Sequence, residues 1–224
     1  MLRIAHRGAK GYAPENTLAA FEKAMAMGAD GIELDVHLSA DGKVVVMHDA
    51  TLDRMTGAAG TIAEMEWQSI QTYRVADHHP IPLLETVIEL LGAGFFLNIE
   101  LKVATAAEPV LAIIEAYVAK GFEYEQFLVS SFDWVALQEV RERQPKVPVG
   151  VLTQTDLNLA IAFARSVRAE AVHPYFHLLS AQNVLQMQEE GFRVFTWTVN
   201  EPGDIALVKS YLVDGIISDY TDRL

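Results

Sequence analysis

Several features that define common protein classes are absent from this chain of 224 residues. Cysteine does not occur, which excludes disulfide bonds and thiolate metal sites, so any metal ion must be held by oxygen or imidazole. No apolar run approaches the length of about 18 residues that indicates a membrane span. The opening segment MLRIAHRG lacks the apolar stretch and small-residue cleavage site of a secretion signal. We therefore expect a cytoplasmic protein without a membrane span.

Positive charge is scarce as well. The chain has 17 Lys and Arg against 30 Asp and Glu, a formal net charge of −13. A surface this acidic repels nucleic acids and anionic membranes, so neither is expected as a partner. An anionic substrate would need a local centre of positive charge. The G-x-S-x-G motif of serine esterases is also missing, which argues against that class of enzyme. Nothing in the sequence specifies an oligomeric state.

Strand-like segments alternate with amphipathic helix-like segments along the chain. In NTLAAFEKAMAMG, for example, Leu18, Phe21 and Met25 are spaced as on one face of a helix, which ends at Gly28. The pattern predicts a closed (β/α)₈ TIM barrel, with a doubly wound open sheet as the alternative. No G-x-G-x-x-G loop follows the first strand, which weakens that alternative. The strand candidates are LRIA, GIELDV, FFLNIEL, QFLVSS, VPVGVL, AEAVHP, RVFTWTV and DGIIS.

One further strand, KVVVMH, follows the second barrel strand too closely for a parallel crossover and is predicted to return antiparallel. A two-residue turn at Asp41-Gly42 would place Asp35 opposite His48, and a slightly earlier turn would place Glu33 there. A three-residue loop would break this register. Residues 49–80, roughly, are irregular, with one predicted short helix in TIAEMEWQSI. We therefore predict a single domain over residues 1–224 with a small insertion after the hairpin.

Acidic side chains occupy alternate positions on two predicted barrel strands. Glu33 and Asp35 share one face of IELDV, and Glu100 lies on the corresponding face of LNIEL. A single inward carboxylate is more often a structural acceptor or ion-pair partner, but two on one strand and a third on another favour a site. Their mutual repulsion would cost several kcal/mol per ion unless it were compensated. A divalent cation, Mg²⁺ or Ca²⁺, supplies that compensation.

Two histidines and two cationic residues are predicted to reach the same end of the barrel. His6 and His48 suggest general acid–base chemistry, while Arg7 and Lys102 carry charge suited to phosphate. The combination favours phosphoryl transfer over sugar or acyl transfer. The histidines expected at the surface or in loops, without a role, are His37, His78, His79 and His177. His173 is expected either to line the pocket or to pack.

Long ordered motifs carry a family resemblance. From the N-terminus they are AHRGAKGYAPENTLAAF, GIELDVHLSADGKVVVMHD, IPLLETVIELL, LNIELK and VFTWTVN. They resemble the glycerophosphodiester phosphodiesterases over nearly the whole chain. The resemblance implies a TIM barrel with a small insertion and metal-dependent cleavage of glycerophosphodiesters to glycerol 3-phosphate and an alcohol. The roles it implies are catalytic for His6 and His48, metal-binding for Glu33, Asp35 and Glu100, and substrate-binding for Arg7, Lys102 and Trp197.

Two alternatives remain at the level of sequence. One is a lysophospholipase D, which would need an apolar patch near the barrel mouth. Met55, Met65 and Trp67 of the insertion could form that patch, although packing beneath the insertion is their expected role. The other is a catalytically silent binding protein on the same barrel, which the presence of both histidines and all three carboxylates disfavours. Attack by water or by the neighbouring glycerol hydroxyl, through a cyclic phosphate, is left open.

Overall fold

The computed structural model describes residues 1–224, with regular elements throughout the chain. The strands are β1 (Leu2–His6), β2 (Gly31–Leu38), β3 (Val44–Val46), β4 (Arg74–Val75), β5 (His79–Pro80), β6 (Phe96–Leu101), β7 (Phe127–Ser131), β8 (Val149–Thr153), β9 (Ala171–Pro174), β10 (Arg193–Thr196) and β11 (Gly215–Ser218). The helices are α1 (Leu18–Ala26), α2 (Asp53–Thr56), α3 (Trp67–Ile70), α4 (Leu84–Leu91), α5 (Ala107–Val118), α6 (Trp134–Arg143), α7 (Leu157–Val167), α8 (Ala181–Glu189) and α9 (Pro202–Ser210).

Eight parallel strands close into a barrel. Their order is β1-β11-β10-β9-β8-β7-β6-β2, and pairing of β1 with β2 completes the circle. The predicted (β/α)₈ barrel is therefore confirmed, and the open-sheet alternative is wrong. Since all eight strands run the same way, their carboxyl ends meet at one mouth, where barrel enzymes place their active sites.

Side-chain alternation divides the barrel into two apolar layers. Outward residues of the strands, such as Leu34, Val129 and Val172, pack with the helices in the main core. Inward residues Ile4 and Phe195 belong to a smaller cluster inside the barrel. Because the strands have helices on one face and the barrel interior on the other, their outward positions are almost wholly apolar. The inward positions are less uniform, since several of those on β1, β2 and β6 carry polar side chains.

The predicted register of the hairpin is wrong. Strands β2 and β3 are antiparallel, but Val36 faces Val46, and Ser39 bonds to Lys43 across a three-residue loop at positions 40–42. The Ser39 hydroxyl accepts from the Lys43 amide at 2.9 Å, and Gly42 has a left-handed φ of 79°. A three-residue hairpin loop with glycine in that conformation is a common alternative to the two-residue turn. Met47 therefore lies opposite Asp35, and His48 lies beyond the end of β3.

A second apolar cluster lies beneath residues 49–80. Leu52, Ile62 and Ile70 from this segment pack with Val45 and Met47, which lie just before it in the chain. The helix predicted in TIAEMEWQSI is interrupted: Ile62–Glu64 forms a short 3₁₀ turn and Trp67–Ile70 a helical turn, with extended backbone at Met65 between them. The Met65 carbonyl accepts from the Ala40 amide at 2.9 Å, which ties this segment to the hairpin loop. The insertion boundaries stay a prediction.

None of the helices has both the length and the apolar character needed to cross a membrane.

Candidate active site

A cavity of about 250 Å³ opens at the carboxyl ends of the barrel strands. Seven of the eight residues singled out from the sequence line it, and Asp35 lies buried beside it. The remaining lining residues come from several strands and the loops that follow them. The full lining is His6, Arg7, Glu33, His48, Asn98, Glu100, Lys102, Phe132, Leu152, Gln154, Trp197, Thr198 and Ile217.

The register of the parallel strands brings the three carboxylates together. Asp35 on β2 lies beside Glu100 on β6, and Glu33 lies one inward position earlier on β2. One oxygen from each of Glu33, Asp35 and Glu100 lies within 4.8 Å of the other two. Glu33 and Asp35 are only 3% and 1% exposed, so water does little to separate their charges. This cluster has the oxygen donors and the spacing that could hold a metal ion.

Electrostatics supports the same interpretation of the cluster. Burial and the charges of Asp35 and Glu100 raise the pKa of Glu33 well above its usual value. Burial and the nearby Asp35 raise the pKa of Glu100 to about 7. Burial opposes ionisation of Asp35 too, but Arg7 and Lys102 outweigh it and lower the pKa of that carboxyl. The cluster thus holds more negative charge than the protein itself neutralises, which is the condition that a cation relieves.

The turn that follows β1 positions Arg7. Arg7 itself has a left-handed φ of 53°, and Gly8 follows with a φ of 80°. A Cβ at Gly8 would lie 2.7 Å from the Ala20 carbonyl carbon, so only glycine fits there. In this turn the Arg7 amide donates to Glu33 Oε2 at 3.0 Å, and the Arg7 Nε lies 3.2 Å from Asp35 Oδ2. A strained backbone in such a place is typical of functional sites.

Glu15 joins two guanidinium groups next to the cavity. Its Oε1 accepts from Arg7 Nη1 at 2.8 Å and from Arg54 Nη2 at 2.7 Å. Burial opposes its ionisation, but Arg54 and Arg7 together lower the pKa of Glu15 to about 2. Asn16, the next residue, donates to Asp35 Oδ2 at 2.9 Å. The sequence alone indicated no role for Glu15, Asn16 or Arg54, although the first two lie in the segment APENTLAAF of the first family motif.

Lys102 is the second cation of the cavity. Its ammonium donates to Glu100 Oε1 at 2.7 Å and lies 3.5 Å from Asp35 Oδ1. Burial alone would lower the pKa of Lys102, but Glu100 and Asp35 raise it, so the side chain stays charged. Positive charge therefore lies at the mouth of the barrel despite the acidic composition of the chain.

His6 lines the cavity and is held through its Nδ1 by Asp219, which does not line it. Its Nδ1 lies 2.6 Å from Asp219 Oδ1, and Asn200 Nδ2 donates to the other oxygen of that carboxylate at 2.9 Å. Burial lowers the pKa of His6, which favours the neutral imidazole despite the nearby carboxylate. A neutral ring at neutral pH has the protonation state that a general base needs.

His48 reaches the cavity by a different route from the one predicted. The chain bends after β3, and His48 Nδ1 lies 2.7 Å from Oδ1 of the adjacent Asp49. Arg54 forms an ion pair with the same carboxylate. The predicted location of His48 at the mouth therefore agrees with the structure, although the hairpin register used to reach it does not.

Trp197 forms one wall of the cavity. Its indole Nε1 donates to the His173 carbonyl at 2.8 Å, and its ring contacts Phe132 edge-on at a centroid distance of 5.4 Å. Phe132 is 42% exposed and was not singled out from the sequence. It directly follows β7, and a position at the carboxyl end of a barrel strand is the one feature of the sequence that could have indicated a place in the site.

The structure settles two expectations about the remaining histidines. His37 is not a surface residue: it is 6% exposed on the inward face of β2, and its Nε2 lies 3.0 Å from the His48 carbonyl oxygen. His37 lies two residues after Asp35 on the same strand, so both side chains point into the barrel. His173 packs against Phe195 and does not line the cavity. His78 and His177 are exposed and His79 is half-buried.

Two cationic side chains lie beside a carboxylate cluster that could hold a cation, at the mouth of a TIM barrel, and this arrangement is typical of barrel phosphodiesterases. Comparison with known proteins narrows this further. Residues 6–223 match the model of the glycerophosphoryl diester phosphodiesterase family, and the chain belongs to that family. A glycerophosphodiester phosphodiesterase from Caldanaerobacter subterraneus subsp. tengcongensis is 36% identical, covering 100% of this chain and 96% of the relative. One from Bacillus altitudinis is 34% identical over 98% of this chain and 95% of the relative.

Solved structures agree with this assignment. A phosphodiesterase from Oleispira antarctica, in complex with the product sn-glycerol-3-phosphate, superposes with a TM-score of 0.90 at 26% identity, covering 98% of this chain and 93% of that one. The glycerophosphodiester phosphodiesterase of Thermotoga maritima gives a TM-score of 0.84 at 29% identity, with 99% and 96% covered. The fold is therefore that of the family over nearly the whole of the chain described here.

Proposed function

We propose that this chain hydrolyses small glycerophosphodiesters to glycerol 3-phosphate and an alcohol, with a divalent cation, Mg²⁺ or Ca²⁺, as cofactor. The single observation that carries the proposal is the convergence of the three-carboxylate cluster with Arg7, Lys102 and two histidines on one cavity. Family membership and the product bound to the Oleispira antarctica relative support the choice of substrate.

Glu33, Asp35 and Glu100 are the residues proposed to hold the cation. Their oxygens fit a hard divalent ion, because the cluster is buried and its surplus negative charge raises the pKa values of Glu33 and Glu100. When bound, such an ion polarises a phosphodiester as a Lewis acid.

Arg7 and Lys102 are proposed to bind the phosphate. Glu15 accepts from one terminal nitrogen of Arg7, and Asp35 lies beside Nε, so the plane of the guanidinium is fixed before substrate arrives. A fixed planar pair of donors matches two phosphate oxygens, whereas an ammonium acts as a point charge. Trp197 is proposed to contact the remainder of the substrate along the cavity wall.

His6 and His48 are proposed as the acid–base pair. His6, neutral and next to the phosphate-binding turn, takes a proton from the attacking nucleophile, which is either water or the neighbouring glycerol hydroxyl. His48, beside the insertion, gives a proton to the leaving alcohol. The insertion lies on that side of the cavity and is proposed to influence which alcohol is accepted.

The lysophospholipase D alternative receives no support from the insertion. Met55, Met65 and Trp67, which could have formed an acyl-chain patch, are half-buried and pack against the second apolar cluster. A cytoplasmic location, the absence of nucleic-acid partners and the insertion boundaries stay predictions.

The test is a coupled assay of glycerol 3-phosphate release from glycerophosphocholine and glycerophosphoethanolamine, run beside an assay of choline release from glycerophosphocholine and from lysophosphatidylcholine, whose other product is lysophosphatidic acid. We expect release from the water-soluble diesters, its loss with chelator and its recovery on adding Mg²⁺ or Ca²⁺. Absence of glycerol 3-phosphate with every diester would exclude the proposed function. Full activity in chelator would exclude the cation, and a preference for lysophosphatidylcholine would favour the alternative.

A further inference from the structure

Both histidines of the cavity are held in the same way. Nδ1 of His6 lies 2.6 Å from Asp219, and Nδ1 of His48 lies 2.7 Å from Asp49. An ionised carboxylate can only accept, so each Nδ1 carries a proton, and in the neutral form of each ring the lone pair therefore lies on Nε2. No protein atom is hydrogen-bonded to either Nε2. The two rings line the cavity, whereas the two aspartates do not.

We propose that Asp219 and Asp49 are positioning residues that hold His6 and His48 as Nδ1–H tautomers, leaving Nε2 of each ring free to exchange protons with the substrate. This inference rests on the proposed function, in which both rings transfer protons. An imidazole that exchanges its proton at one nitrogen depends on the partner at the other nitrogen for its tautomer and orientation.

The surroundings of Asp219 suit this role. Asn200 holds the residue at two points: its amide nitrogen donates to Asp219 Oδ2 at 2.9 Å, and its amide oxygen accepts from the Asp219 backbone nitrogen at 2.9 Å. The Ser218 hydroxyl donates to the same Asn200 oxygen at 3.1 Å, which fixes the orientation of the amide. One oxygen of the carboxylate is thereby engaged by an amide, and the other is left for His6.

Asp49 is held differently, by charge. Arg54 contacts both of its oxygens, with Nη2 3.0 Å from Oδ1, and the same guanidinium donates to Glu15. This cation offsets the carboxylate charge, so Asp49 acts on His48 mainly by orienting the ring through its contact with Nδ1. We therefore expect Asp219 to be the more important of the two.

Nitrogen-15 NMR of the histidine rings in the wild-type protein tests the inference directly. Spectra are taken above about pH 8, where unperturbed histidines are neutral, and the two rings are assigned from the spectra of His6→Ala and His48→Ala. We expect protonated Nδ1 and unprotonated Nε2 in both rings. A proton on Nε2 of either ring would overturn the assignment for that ring. Because this readout does not require turnover, it stands even where the proposed function fails.

Asp219→Asn supplies the kinetic test. An amide can donate as well as accept, so it no longer enforces the Nδ1–H tautomer, and we expect kcat to fall by about 10²–10⁴. KM should stay within about threefold of wild type, since the phosphate contacts are intact.

Asp49→Asn should lower kcat by about 10–10². Asp222→Asn and Asp53→Asn, the same chemical change a few residues away and outside the cavity, serve as matched controls.

The kinetic result would overturn the inference if Asp219→Asn kept kcat within about threefold of wild type, or if its loss fell on KM alone. A histidine tautomer that is unchanged in an inactive Asp219→Asn would do the same. Circular dichroism and thermal unfolding establish that each variant is folded. Should Asp219→Asn not fold, the wild-type tautomers and Asp49→Asn decide the outcome.

Discussion

The two halves of the barrel interior differ sharply in chemistry. Strands β1, β2 and β6 direct polar side chains inward, and strands β8 to β11 direct mostly apolar ones. The inward polar set consists of His6, Glu33, Asp35, His37, Asn98 and Glu100. Its counterparts across the barrel include Leu152, Ala171, Phe195 and Ile217. The apolar half stabilises the barrel by burial, whereas the polar half stores repulsion that a ligand can relieve. The same fold thus separates the residues that maintain it from those that carry its chemistry.

The largest effect should follow from removing a carboxylate of the polar half. Glu33→Ala, Asp35→Ala and Glu100→Ala are each expected to abolish cation-dependent release of glycerol 3-phosphate. Their effects on stability without metal should differ. Loss of Glu33 relieves repulsion, whereas loss of Asp35 leaves Arg7 and Lys102 short of a partner, which typically costs about 3–5 kcal/mol.

Activity assays and thermal unfolding in chelator check both parts of this prediction. Glu22→Ala, an exposed carboxylate on α1, is the control. Retention of wild-type activity by all three variants would rule out the metal site.

The next largest effect concerns the histidines. His6→Ala and His48→Ala should each lower kcat by about 10²–10⁴ on natural diesters. On a p-nitrophenyl phosphodiester the leaving group needs no protonation, so we expect His48→Ala to recover much of its rate and His6→Ala to remain slow. His78→Ala, on an exposed loop, controls for the substitution itself. Equal losses on both substrates would show that the rings do not divide the roles of acid and base.

The polar half should also make the metal-free protein sensitive to pH. The pKa of Glu100 is raised to about 7 by burial and Asp35, so below the unfolded value near 4.5 its contribution to stability is fully present, and it is lost as pH rises to about 7. Over this window the native state binds more protons than the unfolded state, and the loss is on the order of 3 kcal/mol.

Unfolding of the chelated protein in denaturant at pH 5, 6, 7 and 8 measures this loss. Glu100→Gln should flatten the dependence, because the amide does not titrate, and a slope equal to that of wild type would refute the assignment to Glu100. Affinity for the cation should rise across the same pH interval, since the cation displaces the proton.

The smallest effect is expected from the apolar half, and on stability only. A Cβ at Gly150 would lie 2.6 Å from His173 Nε2 and 2.7 Å from Leu128 Cδ2. Gly150→Ala should therefore cost about 1–3 kcal/mol through overpacking and leave kcat/KM close to wild type. Gly203→Ala on α9, where a Cβ meets no atom within 4 Å, is the matched control and should be neutral or slightly stabilising. A loss of kcat/KM comparable to that of the histidine variants would show that the two halves are not separable.

The barrel was predictable because its signal is periodic and repeated. Apolar strands of four to eight residues, each followed by an amphipathic helix, recur with a regular spacing that few folds satisfy. Glu33, Asp35 and Glu100 were equally accessible, since charges at alternate positions of buried strands contradict the apolar pattern. His6 and Arg7 followed from their place at the end of the first strand.

Other features depend on local geometry that residue patterns do not specify. Asp41-Gly42 suits a two-residue turn, yet Ser39 and a left-handed Gly42 produce a three-residue loop. His37 was expected at the surface because the sequence does not show that the His48 carbonyl lies within reach of its ring. The contacts of Glu15 with Arg54 and of Asp219 with His6 join residues 39 and 213 positions apart, a distance over which a single sequence carries no pairing information.

The separate apolar cluster beneath residues 49–80 has an evolutionary consequence. Leu52, Ile62 and Ile70 bury their side chains within this segment and against the hairpin, not in the barrel interior. Substitutions there can change the surroundings of His48 without repacking the barrel, provided that Asp49 keeps its contact with His48 and Arg54 its contact with Glu15. If this segment influences which alcohol is accepted, as proposed, selection on head-group preference can act on it largely independently of selection on folding, and paralogues that diverge in substrate should differ most within it.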